Sequence, residues 1–150
     1  MRFGWAAAAA LFCGVATTAA AQEDYSLAIR WIGEVEQPGG EPSRYRVRAD
    51  INLDRRQRYV ATVRYAALNC VGVWTRPEQA GAHWRFEEVI TDDPDGRCVA
   101  QMDVELVRAG DGLLARWREP GRDAVVATAR LRPWIWPTSI TPESPVPDRE

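Results

Sequence analysis

Apolar and polar residues alternate along most of this chain with a period of two residues. The cleanest example is segment 44–53, in which every second residue is apolar and the residues between them are arginine, aspartate or asparagine. In a β-strand successive side chains point to opposite faces, whereas an α-helix repeats about every 3.6 residues. The segment is therefore predicted to be a half-buried strand with these inward residues: Tyr45, Val47, Ala49, Ile51 and Leu53.

Similar apolar runs recur in seven other segments, which are separated by stretches rich in glycine, proline, aspartate or asparagine. Such stretches are typical of turns between strands. The eight predicted strands cover residues 27–35, 44–53, 59–65, 71–75, 82–91, 97–107, 113–118 and 124–132.

The connections between these strands are short, and none has the apolar spacing of an amphipathic helix. Parallel neighbours would need crossovers of roughly a dozen residues, so the strands should pair antiparallel and in sequence order. We predict an all-β, eight-stranded antiparallel meander that closes into an up-and-down barrel, because closure removes both sheet edges. A two-sheet sandwich stays open as an alternative, because it would show the same alternation.

The first 21 residues have the composition of a cleaved signal peptide. Arg2 supplies a positive start, residues 3–15 form an apolar run, and Ala19 and Ala21 form an A-x-A cleavage site. Cleavage after Ala21 would leave 129 of the 150 residues and remove Cys13. The apolar run is shorter than the roughly 20 residues of a membrane span. The mature protein is therefore expected to be secreted or periplasmic, with no transmembrane segment.

Cys70 and Cys98 are the two cysteines that remain after cleavage. Paired cysteines in an oxidising compartment normally form a disulfide. Cys70 precedes the fourth predicted strand and Cys98 begins the sixth, which places both at the same end of a meander. We therefore predict a Cys70–Cys98 disulfide, which should stabilise the fold by about 3–4 kcal/mol.

The chain changes character after the eighth strand. Proline cannot donate to a sheet ladder, and the last segment is interrupted by Pro133, Pro137, Pro142, Pro145 and Pro147. Residues 137–150 are predicted to be a disordered tail. Trp134 and Trp136 are expected to pack back on the barrel. The barrel domain is accordingly predicted to span residues 22–136.

Several short motifs carry a resemblance to a known domain. They are Trp31-x-Gly33, Tyr45-x-Val47, Val63-x-Tyr65-x-x-Leu68-x-Cys70-x-Gly72, Phe86-x-Glu88 with Ile90, Gly96-x-Cys98, Trp117 and Ala129-x-Leu131. This set resembles a small extracytoplasmic, disulfide-containing β-domain. That domain forms the C-terminal outer part of some actinobacterial serine/threonine kinases and occurs in related small secreted bacterial proteins.

The resemblance covers about residues 27–131, and its most specific part is the Tyr65–Gly72 corner with the second cysteine. It implies an extracytoplasmic β-domain with no established activity. It implies no kinase activity, because the sequence has no kinase motif. The predicted size is also similar to that of avidin-like and lipocalin-like barrels, but the chain has no ligand-binding motif of either family.

The charge pattern provides one candidate site. All 19 basic residues are arginine, and the net charge of −2 gives no support to bulk nucleic-acid binding. Arg44, Arg46 and Arg48 share the outward face of the second strand, and Arg58 lies beyond the following turn. These four residues are a candidate anion-binding patch. The alternative is a solvated outer face, neutralised by Glu34, Glu36 and Glu105.

The aromatic residues provide a second candidate. Trp31, Tyr45, Tyr65 and Trp117 fall on inward positions of the predicted strands. In a small barrel such side chains either fill the interior or line a site for one small ligand. The four residues are candidate ligand-binding residues, with a filled core as the alternative.

No group of residues forms a recognisable catalytic or metal site. His83 is the one histidine, and it has no nucleophile motif beside it. Glu87 and Glu88 are adjacent and should point to opposite faces of a strand, so they do not form a carboxylate pair. The three aspartates of segment 92–96 fit a turn better than a calcium loop. We expect no catalytic residue, metal or cofactor.

The inward positions are expected to be almost wholly apolar, so no perturbed titration is predicted inside the barrel. The sequence therefore favours a non-catalytic secreted or periplasmic binding module. Its partner would be a small ligand, an envelope polymer or a protein. A small periplasmic enzyme or enzyme inhibitor is the alternative from another functional class.

Overall fold

The computed structural model describes residues 27–134. The predicted signal peptide (1–21), the predicted tail (137–150) and Trp136 lie outside the described residues. A short 3-10 helix, Ala66–Leu68, joins the third and fourth strands. The strands are β1 (Arg30–Glu36), β2 (Arg44–Leu53), β3 (Tyr59–Tyr65), β4 (Cys70–Ala80), β5 (His83–Asp92), β6 (Gln101–Ala109), β7 (Gly112–Arg118) and β8 (Val125–Pro133).

The eight strands form one closed antiparallel barrel in sequence order. Each strand pairs with the next, and β8 returns to β1 with a register from Trp31↔Pro133 to Glu36↔Thr128. This closure confirms the predicted up-and-down meander and excludes the two-sheet sandwich. No helix in the described part of the chain is long and apolar enough to cross a membrane.

Side chains from alternate positions of every strand fill the barrel interior. Eight strands enclose a space that side chains alone can occupy, which explains why large residues are needed on the inward rows. The largest fully buried side chains are Trp31, Trp74, Leu27, Ile51, Leu106, Leu113, Val35, Val47, Val63 and Val104.

A glycine makes possible the seam between β1 and β8, which is the pairing that closes the barrel. Gly33 of β1 lies opposite Leu131 of β8. A Cβ atom at this position would collide with the carbonyl oxygen of Arg130 and the side chain of Leu131. The absence of a side chain therefore allows β1 and β8 to approach each other and close the barrel.

The disulfide is present as predicted. Cys70 opens β4 and Cys98 lies in the β5–β6 connection, with the two sulfur atoms bonded at 2.01 Å. The carboxylate of Asp93 accepts hydrogen bonds from the backbone N–H groups of Arg97 (3.0 Å) and Cys98 (2.9 Å). The connection is thus fixed to one end of the barrel by a covalent bond and by these hydrogen bonds.

Three strand boundaries differ from the prediction by three residues or more, and one of them is the start of β1, which lies at Arg30 instead of residue 27. β4 continues through Pro77 to Ala80, because a register shift between Thr75 and Glu78 interrupts the ladder around the proline. β6 begins at Gln101 instead of residue 97, because the preceding residues are held by Asp93 and the disulfide. Leu53, which was predicted to be inward, is exposed because it is the last residue of β2.

Candidate functional site

Three of the four predicted aromatic residues meet at one end of the barrel. We call this end the mouth; it is formed by the four connections 37–43, 66–69, 93–100 and 119–124. The rings of Tyr45 and Tyr65 meet edge to face with centroids 5.9 Å apart. The indole N–H of Trp117 donates a hydrogen bond to the Tyr65 hydroxyl at 3.1 Å. Tyr45, Tyr65 and Trp117 therefore belong to one cluster.

The fourth predicted residue, Trp31, lies away from this cluster. Its indole N–H donates to the carbonyl oxygen of Leu27 at 3.0 Å. The guanidinium carbon of Arg108 lies 5.9 Å from the Trp31 ring centroid and 5.8 Å from that of Trp84. Trp31 is thus part of a second aromatic cluster, and the four candidates do not form a single site.

Glu88 is a buried carboxyl side chain that is not among the predicted site residues. It points into the barrel from β5 and is only 2% exposed. Its Oε1 atom accepts hydrogen bonds from the Tyr65 hydroxyl at 2.5 Å and from the Trp74 indole N–H at 2.9 Å. The expectation of an almost wholly apolar interior is therefore wrong, because this carboxyl lies among aromatic side chains that donate to it.

The titration of this cluster is also perturbed, contrary to expectation. Burial raises the pKa of Glu88 above its ordinary value of 4.5, although the hydrogen bonds from Tyr65 and Trp74 act in the opposite direction. Burial, followed by the charge of Glu88, raises the pKa of Tyr65 well above 10.0. The same two causes raise the pKa of Tyr45 to about 12. The environment of the cluster thus favours the neutral, protonated forms of Glu88, Tyr65 and Tyr45.

A signal for Glu88 was available in the sequence. Trp84, Phe86 and Ile90 mark the inward row of the fifth strand, and Glu88 falls in the same phase. Glu87 lies on the opposite face, as expected, and its carboxylate pairs with Arg76 at 2.8 Å. Following the alternation through Glu88 would have placed a carboxyl group inside the barrel.

A small cavity borders the Glu88 cluster. Its volume is about 60 Å³. That is room for about two water molecules, and drug-sized ligands occupy cavities of roughly 300 Å³ or more. Its lining includes Gln37, Tyr45, Tyr65, Glu88, Arg97 and Trp117. The interior is thus largely filled, and only a small group could enter at the mouth.

Arg97 lies at the rim of this cavity. Its guanidinium donates to the carbonyl oxygens of Ala67 at 3.1 Å and Glu41 at 3.4 Å. It therefore joins three of the four mouth connections, beside the disulfide that fixes the same loop.

The predicted anion patch is part of a larger basic surface. Arginine side chains project outward from four neighbouring strands, β8, β1, β2 and β3. In the strand register Arg48 lies beside Arg64. Ile32 of β1 lies between Arg48 of β2 and Arg132 of β8. We define the arginine face as Arg30, Arg44, Arg46, Arg48, Arg64, Arg130 and Arg132. Arg58 is not on this face, because it lies in the β2–β3 turn.

Carboxylates neutralise part of the arginine face. Arg44 pairs with Glu36 at 3.0 Å and lies 4.0 Å from Glu34. Arg30 and Arg48 share Asp50. The expectation that Glu105 neutralises the patch is wrong, because Glu105 lies on β6. There its carboxylate pairs with two other arginines, Arg116 at 3.4 Å and Arg118 at 3.1 Å.

Four arginines of the face form no ion pair with any carboxylate of residues 27–134: Arg46, Arg64, Arg130 and Arg132. The face carries seven arginines against the three acidic residues Glu34, Glu36 and Asp50, a net charge of +4. A groove of about 740 Å³ is lined by five of these arginines, Arg46, Arg48, Arg64, Arg130 and Arg132, and also by the acidic residues Glu34 and Asp111. The whole chain, by contrast, has a net charge of −2.

The other polar candidates have structural roles. His83 is exposed, and its Nδ1 lies 3.7 Å from the Glu105 carboxylate. In the described part of the chain, one group of three potential metal ligands comes together: Cys70, Asp93 and Cys98. Both sulfur atoms belong to the disulfide, so neither is a thiolate donor.

Comparison with known proteins gives no match. No family model, no curated protein and no solved structure is significantly similar to this chain.

Proposed function

We propose that this protein is a non-catalytic binding module that holds an anionic polymer on its arginine face. The observation that carries this proposal is the group of four arginines that form no ion pair within residues 27–134. Because these four arginines form no ion pair within residues 27–134, their guanidinium groups are available to an external anion. The strands of the barrel hold their backbone positions on one surface.

The spacing of the face suits a repeating anion. Arginines two positions apart on one strand are about 7 Å apart, and neighbouring strands are separated by about 4.8 Å. A guanidinium binds phosphate or carboxylate through two parallel hydrogen bonds. A polymer that carries phosphate or carboxylate groups along its length could therefore contact several arginines at once, and each contact adds to its affinity.

The interior offers less support for a small ligand held inside the barrel. The largely filled core leaves a cavity of about 60 Å³, whereas the outer groove has about 740 Å³. We therefore favour the outer face over the aromatic residues as the principal binding surface.

The proposed location is the periplasm or the outside of a cell. A disulfide is compatible with an oxidising compartment. The composition of residues 1–21 supports the same location. An envelope polymer with anionic groups is the partner that such a location and such a surface would suit.

Binding of fluorescein-labelled polymers, followed by fluorescence anisotropy, tests the proposal. One probe is a poly(glycerol phosphate) chain and the other is poly-glutamate, so the two experiments distinguish phosphate from carboxylate. The face variant is R46Q/R64Q/R130Q. The matched control is R55Q/R56Q/R85Q, which removes the same number of charges from other surfaces.

Three exposed arginines that each contribute about 0.5–1 kcal/mol should change affinity by roughly 10- to 100-fold. We expect this loss for the face variant with at least one probe at about 50 mM salt, and a change below about twofold for the control. Equal losses in both variants would mean that net charge alone attracts the polymer, and binding of neither probe by the wild type would reject the proposal.

A further inference from the structure

The buried carboxyl of Glu88 has no cationic partner. Within residues 27–134 no arginine or histidine nitrogen lies within 4.0 Å of it, and its Oε1 atom accepts hydrogen bonds from the neutral side chains of Tyr65 and Trp74. A buried carboxylate without a cation is costly, and an apolar residue at the same position would avoid that cost. The presence of Glu88 therefore points to a role that an apolar side chain cannot perform.

Aromatic rings surround the space next to this carboxyl. The cavity is lined by Tyr45, Tyr65 and Trp117 together with Glu88. The face of an aromatic ring attracts a cation, and the attraction is stronger where water is excluded. Rings and a carboxylate around one small cavity are the groups that recognise an organic ammonium ion.

The charge of the mouth favours the same kind of ligand. Its four connections carry the acidic residues Glu41, Asp93, Asp95, Glu119 and Asp123 against the arginines Arg97 and Arg122, a net charge of −3. Arg97 opposes the entry of a cation, but its guanidinium is directed to the carbonyl oxygens of Ala67 and Glu41. The mouth as a whole therefore attracts cations from solution.

We propose that the mouth is a binding site for a primary ammonium group on an unbranched alkyl chain, with Glu88 as its counter-ion and the rings of Tyr45, Tyr65 and Trp117 around it. This site is separate from the arginine face and takes a ligand of opposite charge.

The size of the cavity limits the ligand. About 60 Å³ admits an ammonium group and its first methylene, about the volume of two water molecules. A trimethylammonium group or a ring would be too large. The remainder of the ligand would extend through the mouth past Gln37 and Arg97, which line the same opening.

Binding should be coupled to proton release. Burial favours the protonated form of Glu88, whereas the ammonium group needs the carboxylate, so the ligand must displace a proton. The other ionisable groups that line the cavity are Tyr45, Tyr65 and Arg97. The raised pKa values of the two tyrosines keep them neutral over the same range. Affinity should therefore rise with pH until Glu88 is ionised.

NMR of the tryptophan indole N–H groups tests the proposal on the intact mature protein. The probe is n-butylammonium chloride, and n-butanol is the neutral control of similar shape. N-acetyl-lysine amide in a parallel titration distinguishes a free amine from a lysine side chain as the source of the group. The variant is E88Q, and the matched control is E87Q, in which the neighbouring outward carboxylate is removed.

We expect butylammonium or the lysine amide to shift the Trp74 and Trp117 indole signals in a saturable way at pH 8. Affinity at pH 4.5 should be at least twofold weaker, because less than half of Glu88 is ionised there. E88Q should bind at least tenfold more weakly, and E87Q should stay within about twofold of the wild type. Equal shifts with butanol, no saturation below about 50 mM of either amine, or unchanged binding in E88Q would overturn the proposal.

One measurement does not depend on how well E88Q folds. Calorimetric titration of the wild type in two buffers of different ionisation enthalpy reports the protons released on binding. Proton release at a pH below the folded pKa of Glu88 supports the proposal, and an amine whose binding releases no proton at any pH from 4.5 upwards contradicts it.

Discussion

At the scale of single residues, Glu88 is an ionisable carboxyl group buried where its charged form is unfavourable. A carboxyl group among the rings of Tyr65, Trp74 and Trp117 keeps its proton at pH values where it would lose it in water. In the unfolded chain the same group ionises near its ordinary value of 4.5. The folded and unfolded states therefore bind different numbers of protons, and stability must depend on pH.

The sign of this dependence can be measured. Because the folded pKa is raised, Glu88 lowers the free energy of unfolding progressively as pH rises from about 4.5 towards the folded pKa. E88Q has no proton to lose, so its stability relative to the wild type should increase over that range. Urea unfolding at pH 4, 6 and 8 checks this, with E87Q as control. A difference between E88Q and the wild type that is constant with pH would contradict the expectation.

At the scale of strands, the alternation of apolar residues was sufficient to predict all eight elements and their order. Boundaries were predicted less well where tertiary contacts override the local pattern. The residues before Gln101 look like a strand in sequence, but Asp93 and the disulfide hold them in the β5–β6 connection. Pro77 looks like the end of β4, but a register shift allows the strand to continue past it.

The candidate sites were predicted only in part, for physical reasons. Arg44, Arg46 and Arg48 share one strand, so their common face follows from the period of two. Arg130 and Arg132 join them only through the pairing of β8 with β1, which local pattern does not specify, and Arg64 joins them through the register of the β2–β3 pair. The Glu88 cluster likewise depends on residues from five strands, β2, β3, β4, β5 and β7, that come together only in the closed barrel.

The seam between β1 and β8 supports a prediction about closure. In Gly33→Ala the new methyl group would collide with the Arg130 carbonyl and the Leu131 side chain. We expect a loss of about 2–3 kcal/mol in the free energy of unfolding, as for other overpacked sites. Gly40→Ala is the control, because a Cβ there meets only the flexible Gln37 side chain, at 3.0 Å. Equal effects in urea unfolding would show that the seam is not tightly packed.

At the scale of the whole molecule, charge is distributed unevenly over the barrel. The arginine face carries +4 along four neighbouring strands, and the connections of the mouth carry −3. The net charge of the chain, −2, conceals this separation. One rigid barrel therefore presents two surfaces that would attract ligands of opposite sign.

The disulfide should contribute strongly to the stability of the whole barrel. It closes a loop of 28 residues, for which the chain-entropy model gives about 3–4 kcal/mol. C70S/C98S should lose this amount in guanidinium unfolding under non-reducing conditions, and the wild type should lose it when a reductant is added. A loss below about 1 kcal/mol would mean that Asp93 and Arg97 hold the loop without the bridge.

We propose the arginine face as the surface that binds anionic polymer. The most direct test is to titrate ¹⁵N-labelled protein with the anionic polymer that binds in the anisotropy experiment and to map the shifted amide and arginine Nε signals. We expect the shifts to concentrate on β8, β1, β2 and β3, with the largest changes at Arg46, Arg64 and Arg130. Shifts concentrated on β4–β7 or at the mouth would contradict it.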